Sequence, residues 1–315
     1  MSRFNFIGVI VSSALSVTFV TAAEPGTGPV LKSEHGDVAI FPADNAWNQP
    51  IDALPVHPNS KQFVESIGVD KQLHPDFGTT YRGAPNGIPF VVVPATQPKV
   101  PIKFRYADES DPGPYPIPDD APIEGGPQSE GDRHILIVDP ANKKLYEVFR
   151  AFKTADGWEG GSGAIFDLSS NQLRPRGWTS ADAAGLPILP GLVRYEEVVE
   201  QGEIRHALRF TCKKTQRGYI LPATHFASRS NDPNLPPMGL RMRLRADFDD
   251  AGFSPQMKVV IRALKKYGLI LADNGGDWFV SGAPNPKWND DDVNTLKRIK
   301  GRDFEAVLTG EIITR

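Results

Sequence analysis

The sequence predicts a mainly β fold, an antiparallel β-sandwich or jelly roll in a single domain, with a few short helices and long ordered loops. The first observation is composition, because 29 glycines and 29 prolines occur among 315 residues and proline breaks helix interiors and central strands. The second is the repeated alternation of short apolar runs with turn-forming residues, which is typical of antiparallel sheets. The third is that strand and helix patterns do not alternate regularly, which disfavours a doubly wound α/β fold.

The first residues are typical of an export signal rather than of a folded element. Arg3 precedes the apolar stretch 4–20, and small residues follow before Glu24, as in a cleaved signal peptide. We therefore expect a signal peptide at 1–23, a flexible N-terminal lead at 24–37 and one β-rich domain at 38–315, in a secreted or periplasmic protein. The alternative for the first segment is a membrane anchor, and no later stretch has the apolar length of a membrane span.

Apolar runs of strand length, bounded by turn residues, predict the strands. A tight DPANK turn joins two of these runs and predicts a β-hairpin at 134–153. In chain order the predicted strands are 38–41, 89–94, 100–106, 134–139, 144–153, 164–168, 192–199, 203–212, 218–222, 239–246, 269–273 and 278–283. The helical spacing of apolar residues predicts helices at 59–68, 254–268 and 289–299.

Charge and missing motifs exclude several classes of function. Lys and Arg number 35 against 38 Asp and Glu, a net charge of -3, which excludes a strongly basic nucleic-acid-binding protein. The sequence holds no GxSxG, GxxxxGK[ST] or HExxH motif, and no GxGxxG after a strand. Cys212 is the only cysteine, so paired-cysteine zinc sites are excluded. We expect no cofactor; the alternative is calcium at Asp247, Asp249 and Asp250, which lack the spacing of an EF-hand.

Three histidines lie on predicted strands, where a histidine is either a hydrogen-bonded core residue or an acid–base group of a cleft. His134 and His206 share strand faces with apolar neighbours, and His225 lies where a strand gives way to a loop. We take His206 and His225 as catalytic candidates. His74 precedes a proline in a predicted loop, and we expect it at the surface.

Two segments supply candidate carboxyls. Asp273 and Asp277 flank the turn in ADNGGDW, and Asp182 lies in the long, mostly uncharged loop that follows residue 168. Asp182 and Asp273 are catalytic candidates, and Asp277 is a substrate-binding candidate, because paired carboxyls cleave glycosidic bonds. Trp178 offers an aromatic platform for a sugar ring beside Asp182. The alternatives are ordinary turn chemistry for the aspartates and an Ω-loop that plugs the sandwich for the long segment.

Two arginines beside His206 complete the set of candidate residues. Arg205 and Arg209 would hold a substrate carboxylate if the polymer is acidic. That case favours a lyase, in which a base removes the proton beside a uronate carboxylate.

Several segments read together resemble a known family. They are FPADNAWN (41–48), DESDPGPYPIP (108–118), GDRHILIVD (131–139), GWTSADAAGLPILPGLVRYEE (177–197), EIRHALRF (203–210), PATHFAS (222–228) and LILADNGGDWFVSGAP (269–284). Over about 38–310 the chain resembles a family of exported bacterial proteins of unassigned activity. The resemblance implies one folded, exported unit and supplies no catalytic residues.

The leading expectation is an exported carbohydrate-active enzyme that cleaves an extracellular polysaccharide, as a glycoside hydrolase or a polysaccharide lyase. The alternative is a non-catalytic glycan-binding or cell-surface structural protein. A cleft shared by His206, His225 and one of the candidate aspartates favours the enzyme. Exposed aromatic side chains in a shallow groove, without converging titratable groups, favour the binding protein.

Overall fold

The computed structural model describes residues 28–155 and 157–314. The predicted signal peptide and residues 24–27 of the predicted lead lie outside the described residues. Of the helices in the described ranges, none has the length and apolar character needed to cross a membrane.

The molecule is built mainly from short β-strands, which confirms the predicted mainly β class. The strands are β1 (Val30–Leu31), β2 (Val38–Ala39), β3 (His74–Asp76), β4 (Thr80–Tyr81), β5 (Ala84–Pro85), β6 (Phe90–Val92), β7 (Ile102–Phe104), β8 (Ile135–Asp139), β9 (Lys144–Phe149), β10 (Phe152–Thr154), β11 (Gly157–Gly160), β12 (Ser162–Asp167), β13 (Leu208–Cys212), β14 (Arg241–Leu244), β15 (Leu269–Asn274), β16 (Phe279–Ser281) and β17 (Phe304–Ala306).

Two sheets carry most of the structure. One has six strands in the order β17-β14-β15-β13-β16-β3, and the other has four in the order β12-β9-β8-β6. A three-stranded sheet, β10-β11-β7, and the ribbons β1-β2 and β4-β5 accompany them. The pairing is mixed rather than wholly antiparallel, because β13 runs parallel to β15, β16 to β3, β6 to β8 and β11 to β7. Parallel neighbours need long connections, and the long loops of this chain supply them.

The predicted hairpin forms the centre of the four-stranded sheet, and both of its faces are buried. β8 and β9 pair antiparallel across the turn. Leu136 and Val138 of β8 point into the large core that also contains the six-stranded sheet. Ile135 and Ile137 point to the opposite side, into a smaller core with β7 and β11. A strand with two buried faces is apolar at every position rather than alternating, which explains the ILIV run.

The helices begin and end close to the predicted residues. In α2 the hydroxyl of Ser254 accepts the Met257 N–H at 3.0 Å and Pro255 occupies the first turn, as expected for a capped helix start. The last predicted helix is α-helical only in its first half and continues as a 3-10 turn. The α-helices are α1 (Ser60–Ile67), α2 (Pro255–Lys266) and α3 (Asp290–Asn294); the 3-10 turns are Ala107–Glu109, Leu189–Gly191, Thr295–Arg298 and Gly301–Asp303.

The predicted strand at 192–199 is wrong. The chain there leaves a 3-10 turn and enters a π-helix at Glu196–Gln201. Arg194 is buried and donates from Nε to Glu196 at 3.0 Å and from Nη2 to Glu197 at 2.5 Å. The contact between Arg194 and Glu197, three positions apart, matches helical spacing, and the chain is helical here despite its β-branched composition.

Part of the predicted flexible lead is attached to the fold. β1 pairs antiparallel with β2, with Val30 opposite Ala39. Leu31 is buried in the large core. Residues 30–31 are therefore held by a strand pair and by apolar contact.

Cys212 ends β13 in a buried position. Burial raises the pKa of its thiol to about 12, so the thiol is protonated and unreactive near neutral pH.

Candidate functional site

The centre of the site is a buried ion pair between Arg209 of β13 and Asp182. Arg209 donates from Nε to Asp182 Oδ2 at 2.7 Å and from Nη2 to Oδ1 at 2.5 Å. Its Nη1 donates to Ser281 Oγ on β16 at 2.5 Å. Asp182 is fully buried, and a bidentate pair of this kind holds both side chains in one orientation. The pair therefore fastens the loop around Asp182 to the six-stranded sheet.

The loop keeps its shape through short-range hydrogen bonds and one glycine. Ser180 donates from Oγ to the Leu186 carbonyl at 2.6 Å. Gly185 has φ +73°, and a Cβ there would lie 2.1 Å from Thr224 Oγ1, so the position requires glycine. The predicted alternative of a packed Ω-loop describes this segment well, and the packed loop also forms one wall of a cavity.

Asp273 of β15 lies beside the ion pair, with Oδ2 3.8 Å from Arg209 Nη2. Burial and the neighbouring Asp182 carboxylate raise the pKa of Asp273 to about 7, although Arg209 opposes the shift. The Asp273 side chain is partly exposed. A carboxyl in this state can donate a proton near neutral pH, which is the property of a general acid.

Asp273 opens into a cavity of about 400 Å³, which we call the Asp273 cavity. Glu109 lies on the wall of the Asp273 cavity. Its Oε2 accepts the Thr179 N–H at 3.2 Å. The residues that line the Asp273 cavity are Tyr106, Glu109, Phe149, Ser162, Thr179, Ser180, Ala181, Asp182, Ala183, His225, Ala227 and Asp273. Two carboxyls from distant segments, Glu109 and Asp273, thus share one cavity.

His225 also lines the Asp273 cavity. Its Nδ1 lies 2.7 Å from the Ala183 carbonyl oxygen, and since a carbonyl only accepts, Nδ1 carries the proton. Nε2 has no hydrogen-bond partner among the described residues and is free to accept one from a ligand. His225 therefore lines one cavity with Asp182 and Asp273, whereas the predicted shared cleft also included His206.

A second buried ion pair supports the loop from the four-stranded sheet. His134 Nδ1 lies 2.7 Å from Glu124 Oε2, and Nε2 lies 3.1 Å from the Ala181 carbonyl oxygen. Burial lowers the pKa of His134, but Glu124 outweighs it and raises the pKa to about 9. Both ring nitrogens therefore donate at neutral pH. His134 is a buried hydrogen-bonded residue, as one of its two predicted interpretations states, and it positions Ala181.

His206 does not belong to the cavity. Its Nε2 lies 3.0 Å from Glu197 Oε2 and its Nδ1 lies 2.8 Å from the Ala207 carbonyl oxygen. The ring is buried and both nitrogens are occupied. This corrects the catalytic assignment of His206, which lies in a bend before β13 rather than on a strand and has both ring nitrogens bound to protein groups. Arg205 is exposed and is absent from the residues that line the Asp273 cavity.

Arg209, Trp178 and Asp277 are not placed as substrate-binding residues. Arg209 is buried with its donors engaged by protein groups. Trp178 is partly buried, and the Arg174 guanidinium lies 5.5 Å from its ring centre. Asp277 lies away from the cavity, accepting from Lys71 Nζ at 2.6 Å and from the Lys213 N–H at 2.8 Å.

Two carboxyls, Glu109 and Glu124, were missed by sequence reasoning. Glu109 lies in the DESD cluster and Glu124 in the polar segment after it, and nothing local distinguishes them from solvated acids. Among the described residues no group of three or more His, Cys, Asp or Glu is placed to hold a metal ion.

Comparisons with protein families, with curated proteins and with solved structures give no match to this chain. The chemistry of the site therefore has to be argued from its own geometry.

Proposed function

We propose that this protein is an exported glycoside hydrolase that cleaves an extracellular polysaccharide in the Asp273 cavity. The observation that carries the proposal is the pair of carboxyls in one cavity, of which Asp273 has a pKa raised to about 7. Glycoside hydrolysis uses one protonated and one ionised carboxyl on opposite sides of the scissile bond.

In this mechanism Asp273 donates its proton to the glycosidic oxygen as the bond to the anomeric carbon breaks. Glu109, as the second carboxyl group, removes a proton from the attacking water or attacks the anomeric carbon itself. His225 Nε2 accepts a hydrogen bond from a sugar hydroxyl. The ion pairs of Arg209 and His134 keep the loop that lines the cavity in place, so that these groups stay in register.

Hydrolysis is favoured over β-elimination by the state of the arginines. A uronate carboxylate is held best by a free cationic side chain, and Arg209 is buried with three of its five N–H donors already bonded to Asp182 and Ser281. The residues that line the Asp273 cavity include no Lys or Arg. We therefore expect a neutral or amino-sugar polymer as substrate.

Catalysis is favoured over plain glycan binding by the titratable groups of the Asp273 cavity. Four of the five tryptophans, Trp47, Trp158, Trp278 and Trp288, are buried and offer no stacking platform, while Tyr106, which lines the cavity, keeps exposed surface. Converging titratable groups line the Asp273 cavity.

Export is part of the proposal and rests on the sequence of residues 1–23. Cleavage before Glu24 gives a mature chain whose first residues identify the site. N-terminal sequencing of the protein recovered from the periplasm or the medium tests this directly.

The activity test is incubation of the mature protein with neutral, amino-sugar and acidic polysaccharides, following reducing ends together with the ultraviolet absorbance of unsaturated uronates. We expect reducing ends without absorbance.

Asp273→Asn and Glu109→Gln should each lower kcat by about 100-fold or more. Asp277→Asn, from the same turn but outside the cavity, is the matched control and should keep activity near wild type. The wild-type rate should fall as pH rises through about 7, because the acid loses its proton.

If a uronate polymer gives ultraviolet absorbance, the protein is a lyase and the proposed hydrolase is wrong. A lack of products across the panel, or equal loss in Asp273→Asn and Asp277→Asn, would reject the proposed site.

A further inference from the structure

A second polar cavity lies on the other side of the Arg209 ion pair. It has a volume of about 370 Å³, and we call it the His74 cavity. Its walls include His74 and Asp76 of β3, Tyr81 of β4 and Phe279 of β16. The walls combine aromatic rings with amide, carboxyl and amino groups, a composition that suits a polyhydroxylated ring.

Several polar side chains of the His74 cavity make no hydrogen bond to the described part of the protein. The His74 ring stacks on Phe279 with centroids 4.0 Å apart, which leaves its two nitrogens at the edge. Among the described residues, neither these nitrogens nor the side chains of Asp76 and Asn86 have a hydrogen-bond partner. His74 is half-buried rather than a surface residue, which corrects the sequence prediction.

A row of neighbouring side chains joins the two cavities across the sheet. Asp76 of β3 is the register partner of Ser281 of β16. Ser281 accepts from Arg209, and Arg209 lies 3.8 Å from Asp273. Directly paired residues point to the same face of a sheet, so Asp76 and Ser281 share one face. Ser281 and Arg209, in the middle of the row, are buried, whereas Asp76 and Asp273 at its two ends are partly exposed. β3 and β15 are three strand spacings apart, about 14 Å.

Glu124 lies near this row, although it lines neither cavity. It is partly exposed, with 25% of its side chain accessible, and its charge acts on both Asp76 and Arg209. Asp76 and Glu124 therefore lie within electrostatic range of the guanidinium that Asp273 approaches to 3.8 Å.

We infer that the His74 cavity is a second sugar-binding subsite, so that one neutral polysaccharide chain occupies both cavities and is cleaved internally at Asp273. This inference rests on the proposed function. In the His74 cavity one sugar ring packs against the face of Phe279 or Tyr81. Its hydroxyls bond to Asn86, Asp76 and the free nitrogens of His74.

The test compares short and long oligosaccharides of the polymer that the wild-type enzyme cleaves. Asn86→Ala and Tyr81→Ala change side chains that hold no protein hydrogen bond. Each should lower kcat/KM for long oligosaccharides by roughly threefold to tenfold, the effect of one or two lost contacts. Neither should change kcat/KM for oligosaccharides that fill only the Asp273 cavity. Gln201→Ala, an exposed amide outside both cavities, is the control and should match wild type at every length.

Binding of the neutral and amino-sugar oligosaccharides of the panel to Asp273→Asn, measured by calorimetry whether or not the wild type cleaves them, separates the two proposals. If no glycan is cleaved but long oligosaccharides bind more tightly than short ones, and Asn86→Ala removes the difference, the hydrolase proposal fails and the second subsite stands. If glycans are cleaved with a length dependence that Asn86→Ala and Tyr81→Ala leave unchanged, the second subsite is wrong and the hydrolase stands. If nothing is cleaved and nothing binds, both are wrong.

Discussion

Arg209 holds a positive charge inside the protein because each of its polar contacts is met by a fixed group. Asp182 takes two of its donors and Ser281 takes a third. A buried charge of this kind is tolerated only while its partner remains. The stability of the loop and the shape of the Asp273 cavity therefore depend on the same pair.

Asp182→Asn tests this dependence. The change keeps the size of the side chain but removes its charge, so we expect the free energy of unfolding to fall by about 3–5 kcal/mol. Urea unfolding followed by tryptophan fluorescence measures the change.

The control is Asp119→Asn, which removes the same charge from an exposed ion pair with Lys153. Its urea midpoint should not move, because exposed pairs contribute little. Equal effects of the two substitutions would show that Arg209 does not need Asp182.

The sequence identified part of the site at the level of single residues. Asp182 is predicted from the long loop after residue 168, and Asp273 and His225 from positions where predicted strands end; the structure brings all three to one cavity. His206 is predicted on a strand but lies in a buried bend before β13, because its position depends on the contact with Glu197 that the strand pattern does not show. Glu109 was missed because its partner wall comes from a distant loop.

At the scale of elements, β9 fixes the 3-10 turn at Leu189–Gly191. Glu147 of β9 is fully buried and accepts the N–H groups of Ile188 and Leu189 at 2.9 and 3.0 Å. Burial raises the pKa of Glu147 to about 7, although the two N–H groups oppose the shift. The strand thus holds the turn through a carboxyl group whose ionised form is destabilised by burial.

Glu147→Gln should make stability less dependent on pH. The native pKa, about 7, lies above the ordinary value of 4.5. The carboxyl therefore contributes most below pH 4.5, and that contribution is lost as pH rises through about 7, on the order of 1 kcal/mol per pH unit. Glutamine keeps an acceptor for the N–H groups without the charge. The decline should be shallower in the variant, as measured by denaturant unfolding across this pH range.

Glu65→Gln is the control, because Glu65 is exposed on α1 beside Lys61. Its pH profile should parallel that of the wild type. Parallel profiles for Glu147→Gln as well would mean that Glu147 stays ionised in the native protein.

The elements that sequence predicted correctly are those with local determinants. The hairpin β8-β9 has its own turn, and α2 has its own cap and apolar stripe. The pairing of β3 with β16 could not be predicted, because Asp76 meets Ser281 from the opposite end of the chain. The strand predicted at 192–199 does not form: the chain there enters a π-helix at Glu196–Gln201, where Arg194 pairs with Glu197 three positions ahead.

At the scale of the whole molecule, β8 joins the two hydrophobic cores. Leu136 belongs to the large core and Ile137 to the smaller one, and both side chains are fully buried. Adjacent residues of one strand therefore pack into different cores. The single domain predicted for 38–315 remains a prediction, and β8 is the place to test it.

Leu136→Ala and Ile137→Ala should each lower the free energy of unfolding by about 2–5 kcal/mol in one cooperative transition. Circular dichroism and fluorescence should report coincident curves. Leu308→Ala, at a side chain 43% exposed, is the control and should have little effect. Two separate transitions, with Ile137→Ala moving only one of them, would show that the cores unfold independently.

The burial of Cys212 gives the protein an internal reporter of this unfolding. In the native state its thiol has a pKa of about 12, against 9.0 for an exposed cysteine, and the side chain is covered. A thiol reagent therefore modifies the chain only when β13 opens, and since β13 lies inside the six-stranded sheet, that opening disrupts the site as well. The rate of alkylation therefore measures how often β13, which carries Arg209, separates from the sheet. Each chain takes one label, and no dye or engineered residue is needed.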